Sequence, residues 1–351
     1  MLDNIVSYLV APHKFVNFNT LLPDEIPTDY VRVKFLFCGI CGGDYSRYLG
    51  YRKEYPLSLG HEFVAQVLEH NCSSAMEIEI GNFVVSDFNY RCLKCRYCQK
   101  GKSHLCQKND IELFTNRAFS LYADIHYSYL VKIDSSINSI YRATAIEPLS
   151  CIIHAMNNYD LSQINTVLIY GTGNIGMLCA FYLHTCQKKT VYVYDVIHQK
   201  CELVGHILGC DIAKFDIEYD LIVEATNTAS GLLECIMRCE YNQKICSFSH
   251  LYGQKTEMIY TNLVKKEINI YFPLRNGSKN NLSQAAQFIK NNWTTCEDEL
   301  LQIYETDDLN SSIVTRVSRF VNEFHILKAT FKFCTRLSTF VMTFPFFSLL
   351  L

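Results

Sequence analysis

The sequence predicts an α/β protein of two domains, a β-rich domain followed by a doubly wound parallel sheet. The chain has 351 residues, which at roughly 150 residues per domain favours two domains. Short alternating runs broken by Gly and Pro extend to about residue 134, whereas from about residue 150 apolar runs alternate with helical stretches. This change of pattern separates an N-terminal part, residues 1–149, from the rest.

Two runs are typical of the N-terminal part. Tyr30 to Phe37 (YVRVKFLF) alternates before a glycine-rich turn, and Phe63 to Glu69 (FVAQVLE) has a similar pattern. Such runs, bounded by turn residues, predict an antiparallel or barrel-like β domain.

The second part contains four apolar strand candidates, which are Thr166 to Tyr170, Thr190 to Tyr194, Asp220 to Val223 and Ile245 to Phe248. Each is nearly continuous in apolar residues and is separated from the next by a helical stretch. A parallel sheet that is covered by helices on both faces requires this pattern.

Composition excludes several classes of protein. Hydrophobic residues make up 49% and charged residues 19% of the chain, which is typical of a globular protein and not of a disordered one. The 32 basic residues are balanced by 35 acidic residues, so we expect no nucleic-acid partner. Met1 to Val10 has no secretory signal pattern, and we therefore expect a reducing, cytoplasmic location, where clustered cysteines indicate metal binding or catalysis.

The C-terminal segment, residues 334–351, is apolar. Leu337 to Leu351 runs 15 residues without a charge, but Pro345 interrupts it, and a spanning helix needs about 20 apolar residues. We expect this tail to pack on the body or to fray, and attachment to a membrane or a partner is the less favoured alternative.

Four cysteines form the strongest motif. Cys92, Cys95 and Cys98 follow one another at gaps of three, and Cys106 comes eight residues later. One loop can fold back and present these four thiolates tetrahedrally, which predicts a closed, structural zinc site. An iron–sulfur cluster is the alternative for this ligand set.

A second candidate metal set is Cys41 with His61 and Glu62. Cys41 lies in a glycine-rich turn after a strand, and the other two residues open another strand. A thiolate, an imidazole and a carboxylate that leave one position open are suited to a catalytic zinc. Taken alone, a single Cys and a single His are more often core residues.

The third motif is the sequence GTGNIG at residues 171–176, between a strand and an apolar helical run. In that context glycines let the backbone approach the pyrophosphate of a dinucleotide at the helix N-terminus. An acid 19 residues past the last glycine is placed to accept from a ribose 2′-hydroxyl, which favours NAD over NADP; its alternative role is to cap a turn. The candidate cofactor-binding residues are Gly171, Gly173, Asn174, Ile175, Gly176 and Asp195.

Together these motifs, in this order, resemble the zinc-containing medium-chain dehydrogenases, the family of alcohol, sorbitol and threonine dehydrogenases, over about Asn4 to Phe333. The resemblance implies a GroES-like catalytic domain over residues 1–149, completed by residues 292–333, and a Rossmann NAD-binding domain over residues 150–291. It also implies two zinc ions per chain and a homodimer or homotetramer.

The same resemblance assigns roles around the catalytic zinc. Cys41 and His61 are implied ligands, and Glu62 is a further, exchangeable one. The segment Glu147-Pro148-Leu149-Ser150 is similar to one in polyol dehydrogenases whose acid lies beside the metal, so we rank Glu147 above the other candidate, Cys151.

The sequence departs from the family two and five residues after Cys41. Gly43 stands where most members have Ser or Thr to relay the substrate proton, and Ser46 stands where many have His. The relay is therefore absent or rerouted, with Ser46, Tyr45, Tyr48 or water as candidates. A small residue at the first position also occurs in the ribulose-5-phosphate reductases, which the segments at residues 9–12 and 275–279 resemble as well.

The implied function is hydride transfer between NAD(P) and a polyol or ketose, in free, phosphorylated or nucleotide-linked form. Arg47, Arg275 and Lys279 are the candidate cations to reach the cleft if the substrate carries phosphate, although a solvated surface position or a cofactor contact is the favoured explanation for each. L-Threonine or a simple alcohol is the alternative substrate. A different class of function, an NAD-binding sensor or scaffold that has lost turnover, is motivated by Gly43.

Overall fold

The computed structural model describes residues 1–73, 77–87, 91–108, 118–134, 140–252, 254–255, 260–306 and 328–333, the backbone alone being described for 302–306 and 328–333. The predicted apolar tail therefore lies outside the described residues. Within the described part of the chain, no helix combines the length and the apolar character that crossing a bilayer would demand.

The N-terminal part is built mainly from short strands, as the alternating runs predict. In chain order its elements are β1 (Leu2–Ala11), β2 (Lys14–Leu22), β3 (Tyr30–Gly39), α1 (Gly42–Tyr48), β4 (Leu57–Ser58), β5 (Glu62–His70), β6 (Phe83–Ser86), α2 (Arg96–Gln99), β7 (Tyr122–His126) and β8 (Leu130–Ile133). β3 and β5 pair antiparallel, from Val31 opposite His70 to Gly39 opposite Glu62.

Aromatic and branched side chains hold this domain together. Phe35 on β3 and Phe63 on β5 are both fully buried, and their rings meet edge to face with centroids 4.8 Å apart. Such contacts add about 0.5–1.5 kcal/mol to the free energy of burial. β1 forms a small separate sheet with β2 and β4.

The second domain alternates strands and helices. After α3 (Ile146–Met156) come β9 (Thr166–Tyr170), α4 (Asn174–Ala180), β10 (Thr190–Tyr194), α5 (His198–Leu208), β11 (Asp211–Ile212), β12 (Leu221–Glu224), α6 (Ala229–Arg238), β13 (Lys244–Ser247), α7 (Tyr260–Lys265), β14 (Asn269–Tyr271) and α8 (Lys279–Asn292). Two of the four predicted strands match exactly, and the other two are shifted by one residue.

The six strands of this domain form one sheet in the order β11-β10-β9-β12-β13-β14, and every described pair in it is parallel. Numbered from β9, this is the order 3-2-1-4-5-6, the arrangement of a Rossmann fold, in which ligands bind where the strand order reverses. The predicted fold class, a GroES-like β domain with a doubly wound parallel sheet, is confirmed.

The chain then returns to the N-terminal sheet. β15 (Leu301–Thr306) pairs parallel with β16 (Lys328–Phe333), and β16 pairs antiparallel with β3. Arg142 fixes the start of this return, since its guanidinium donates to Asp298 at 2.7 and 2.6 Å and to the Trp293 carbonyl at 3.0 Å. Trp293 is buried against Phe181.

Candidate active site

The pairing of β3 with β5 brings the first metal set together. Gly39 lies opposite Glu62, so the turn that follows β3 and the residue that precedes β5 are neighbours. Cys41 caps the N-terminus of α1, and its thiol accepts from the Gly43 N–H at 3.4 Å. Ligand atoms of Cys41, His61 and Glu62 all lie within 4.8 Å of one another.

Gly60 lets the chain turn into this site. Its φ is +94°, a left-handed conformation that side chains rarely adopt. A Cβ on Gly60 would lie 2.8 Å from the ring of Phe119 and 3.0 Å from the Cys38 sulfur. A glycine is therefore required immediately before His61.

Asp44 is a buried carboxylate beneath the metal set. One of its oxygens accepts from the Cys41 N–H at 3.2 Å, and the other is 3.9 Å from Nδ1 of His61. Burial raises the pKa of Asp44. Asp44 lies three residues after Cys41 on the short helix α1, and this spacing is the sequence signal that could have identified it.

The electrostatics of this set favour a bound cation. Burial raises the pKa of the Cys41 thiol. Burial lowers the pKa of His61, but the charges of Asp44 and Cys41 outweigh it, and the net pKa lies well above the usual value. The site thus concentrates negative charge around one imidazole. A sulfur, a nitrogen and an oxygen donor with an open position fit zinc.

Glu147 and Cys151 lie one turn apart on α3, at the wall of the same site. The Cys151 thiol donates to the Glu147 carboxylate at 3.5 Å. Burial and Glu147 raise the pKa of Cys151 well above its usual value, so this thiol is protonated. The converging group of three donors does not include Glu147.

The second metal set is also assembled. The sulfurs of Cys92, Cys95, Cys98 and Cys106 lie within 4.8 Å of one another. Backbone N–H groups of Cys98 and Gln107 lower the pKa of Cys95 to about 6, whereas burial and neighbouring thiols raise the pKa of Cys98 to about 12. Because further thiolates would repel one another, four ligating sulfurs require a cation, which fits a structural zinc.

The glycines at residues 171–176 are present for different structural reasons. A Cβ on Gly171 would lie 2.8 Å from the backbone of Ala225, and one on Gly176 would lie 1.8 Å from the Gly171 carbonyl oxygen. A Cβ on Gly173 would meet nothing within 4 Å. Gly171 and Gly176 therefore allow close backbone packing, whereas Gly173 leaves open space at the start of α4.

Asp195 lies at the end of β10 and holds the glycine turn. One oxygen accepts from the Thr172 N–H at 2.9 Å and from its hydroxyl at 3.2 Å, and the other accepts from the Ile197 N–H at 3.0 Å. The turn-capping role that the sequence left open is thus present.

One cavity of about 460 Å³ joins the two domains. Its wall includes Cys41, His61 and Glu62 on one side and Asn174 and Ile175, the first residues of α4, on the other. The remaining lining residues come mainly from α1 and the segment after it, from α3, and from the loops after β12, β13 and β14. The carboxyl ends of the parallel strands therefore face the metal set, as the fold predicts.

Comparison with known proteins gives the family. Residues 27–135 match the alcohol dehydrogenase GroES-like domain. The erythritol/L-threitol dehydrogenase of Mycolicibacterium smegmatis is 30% identical over 229 residues, 59% of this chain and 62% of that protein. These matches support a relationship to the zinc-type medium-chain dehydrogenases.

One further relative and one solved structure show how much of the chain is matched. An L-threonine 3-dehydrogenase of Cutibacterium acnes is 28% identical over 199 residues, 53% of this chain and 55% of that protein. These alignments span less than two thirds of either relative. A solved structure of the alcohol dehydrogenase rspB from Escherichia coli, complexed with NADH, has a TM-score of 0.80 at 23% identity and covers 94% of this chain and 99% of that chain. At this identity the likeness shows the fold.

Two of the predicted residues, Ser46 and Lys279, lie away from the cavity wall. The Ser46 hydroxyl is buried and donates to the Gly43 carbonyl at 2.8 Å. Lys279 begins α8, where burial and Arg91 lower its pKa. Arg47 and Arg275, the other two predicted cations, do line the cavity, and Lys279 does not. The hypothesis that Lys279 reaches the cleft is therefore wrong.

Sequence reasoning missed a group of cavity residues that follow the sheet strands. Asn227 follows β12, and Phe248, His250 and Tyr252 follow β13. The buried carboxylate of Glu224 holds these two loops, since it accepts from Thr226 and from two serines, Ser247 and Ser249. The rule that ligands bind at the carboxyl ends of parallel strands could have found them. Arg52, also on the wall, carried no sequence signal.

Proposed function

We propose that the chain is a zinc-dependent dehydrogenase that transfers hydride between NAD and a polyol or ketose. The observation that supports this most directly is that one cavity borders both the metal donor set and the first residues of α4. A substrate in that cavity reaches both a metal and a dinucleotide, which is what hydride transfer requires.

The chain's own residues have separable roles in this proposal. Cys41, His61 and Glu62 hold the metal, and Asp44 orients His61 from below. Zinc bound there supplies a Lewis acid for the substrate oxygen. Glu147, on the cavity wall outside the donor group, is placed to take the hydroxyl proton when the carbon-bound hydrogen leaves as hydride.

The proposed cofactor is NAD rather than NADP. The glycine turn provides a close backbone approach for the pyrophosphate, and Gly173 leaves the space for it. Asp195 at the end of β10 holds that turn and places a negative charge where a 2′-phosphate would lie. Oxidation of NADPH as fast as NADH would contradict this part of the proposal.

The polyol class is supported by the relatives. The matched curated proteins include dehydrogenases named for erythritol and L-threitol, D-arabinitol and sorbitol. L-Threonine is the competing substrate, because several relatives of similar identity are named for it. The proposal includes a homodimer or homotetramer, which light scattering of the purified chain would test.

Cys41→Ser tests the proposed catalytic site, with Cys296→Ser as the matched control. The proposal expects wild-type protein and the control to hold two zinc ions per chain, and Cys41→Ser to hold one. Turnover, followed by nicotinamide absorbance with a panel of polyols and L-threonine, should be lost in Cys41→Ser alone. Cys296 is exposed, so its substitution changes neither site. Retained turnover in Cys41→Ser would refute the assignment.

A further inference from the structure

Two arginines, Arg47 and Arg52, form one wall of the cavity and share a single carboxylate. The Nε of Arg47 donates to one oxygen of Glu54 at 3.0 Å, and an Nη of Arg52 donates to the other at 2.8 Å. The arginine side chains are only 11% and 19% exposed, whereas Glu54 is 45% exposed. Two largely buried positive charges therefore have one outward-facing negative partner.

Arg47 brings its charge close to the metal donors. Its Nη1 donates to the Gly43 carbonyl at 3.2 Å and lies 3.7 Å from the point where a Cβ on Gly43 would be. That same point is 3.7 Å from the Cys41 sulfur. The guanidinium therefore lies beside Gly43, near the metal end of the cavity.

Arg52 and Arg275 extend this positive surface toward the second domain. The guanidinium of Arg52 lies 4.8 Å from the ring centre of Tyr252, which follows β13. Arg275 follows β14, lines the cavity and donates to the His104 carbonyl at 3.2 Å. Burial lowers the pKa of Arg275, which shows that its charge is poorly hydrated.

The net charge of the arginines that line the cavity favours a ligand group with two negative charges over one with a single negative charge. The three lining carboxylates, Asp44, Glu62 and Glu147, lie at the metal end of the cavity. The wall itself has three guanidiniums against the carboxylate of Glu54, a net charge of +2. Burial and Arg52 lower the pKa of His250, so this neighbour adds no charge near neutral pH. A phosphate monoester carries roughly −1.5 to −2 at pH 7, whereas a carboxylate carries only −1.

We propose that Arg47, Arg52 and Arg275, here called the arginine wall, bind a phosphate monoester on the substrate. The inference rests on the proposed function and names its substrate class: the dehydrogenase acts on polyol phosphates and ketose phosphates. Guanidinium groups bind phosphate oxygens through paired N–H donors, and the dry wall strengthens those bonds. The phosphate then fixes which hydroxyl lies at the metal.

Steady-state kinetics with matched substrates tests the arginine wall. Erythritol is compared with erythritol 4-phosphate, and sorbitol with sorbitol 6-phosphate, in wild type, Arg47→Gln and Arg52→Gln. Wild type should prefer the esters. Each variant should raise KM for the esters about 10- to 100-fold more than KM for the free polyols, the effect of losing one charged hydrogen bond to the phosphate. Arg238→Gln, on the outer face of α6, is the control and should behave as wild type.

Three other outcomes would overturn the inference. Equal losses on esters and free polyols would give the arginines a structural role, and weaker NADH binding in the variants would make them cofactor contacts. A preference for L-threonine over every ester would assign the wall to a carboxylate. Circular dichroism and thermal melting establish that each variant is folded, and Arg52→Lys replaces Arg52→Gln if it is not.

Calorimetry separates this inference from the proposed function. Inorganic phosphate and erythritol 4-phosphate are titrated into the full chain with NAD bound. Binding should weaken in Arg52→Gln and tighten in Glu54→Gln, which removes the shared negative charge. Arginine-dependent phosphate binding without turnover of any polyol would refute the proposed function alone. Turnover of free polyols without phosphate binding would refute the arginine wall alone.

Discussion

Gly60 lets the chain turn into the site at His61 and Glu62. Its substitution should destabilise the fold in two ways, through the positive φ and through a steric clash. We predict that Gly60→Ala lowers the free energy of unfolding by about 2–5 kcal/mol. A positive φ costs a side chain about 1–2 kcal/mol, and overpacking against Phe119 adds about 1–3 kcal/mol. Denaturant unfolding measures the loss, and zinc analysis should show one ion released as the turn shifts.

Gly81→Ala is the matched control for that prediction. Gly81 has a φ of +88°, close to that of Gly60, but a Cβ there would meet nothing within 4 Å. Its substitution should cost only about 1–2 kcal/mol and leave the zinc content unchanged. Equal losses in the two variants would show that contact with Phe119 is unimportant.

The turn between β9 and α4 contains glycines of two kinds, and they should respond differently to alanine. Gly176→Ala places a Cβ 1.8 Å from the Gly171 carbonyl, so we predict a loss of at least about 2 kcal/mol in unfolding free energy. Gly173→Ala meets no protein atom within 4 Å, and its φ of −72° suits alanine. The second variant should fold normally and bind NADH more weakly.

Thermal melting together with NADH fluorescence titration distinguishes the two effects. A stable Gly173→Ala protein with wild-type NADH affinity would show that the cofactor does not approach this turn. A Gly176→Ala protein with unchanged stability would show that α4 can withdraw from the turn at little cost.

The segment that carries the four clustered cysteines, α3 and the loop before α8 meet at His154. We expect the protonation of this residue to make the stability of the whole fold depend on pH. The His154 and His104 rings contact each other with centroids 4.5 Å apart, and a Cβ on Gly277 would collide with His154. Burial and His104 lower the pKa of His154 to about 4. The unfolded chain therefore takes up a proton near pH 6.5 that the folded chain refuses until about pH 4.

We predict that the free energy of unfolding falls as pH falls from about 6.5 to 4, because His154 is protonated more readily in the unfolded chain than in the folded chain. Between pH 7.5 and 5 wild type should lose about 1–2 kcal/mol more unfolding free energy than His154→Gln, a figure reduced for partial exposure. His198→Gln, at a side chain 64% exposed, is the control and should retain the wild-type pH dependence. Identical pH profiles in wild type and His154→Gln would contradict the prediction.

Local pattern was enough to predict most of the fold. The strands at 166–170 and 190–194 have the predicted bounds, because continuous apolar runs next to turn residues have few alternatives. The four clustered cysteines were predictable as a donor set from their spacing, whereas Cys41 and His61 were assigned through the family resemblance. Asp44 and Glu224 were not identified as functional, because a lone acid on a helix or strand is usually solvated or caps a turn.

The sequence by itself determined the kind of protein: two domains, a Rossmann sheet, two metal sets and a dinucleotide turn, all carried by residues close together in the chain. Only the tertiary structure decided that β16 joins β3, that Glu147 lies outside the converging donors, and that Arg52 meets Tyr252 across the cavity. Periodicity and motif spacing describe neighbours along the chain. Contacts between residues as distant in the chain as Phe37 and Lys332, or Arg52 and Tyr252, depend instead on how the elements pack, and that packing sets the charge of the cavity.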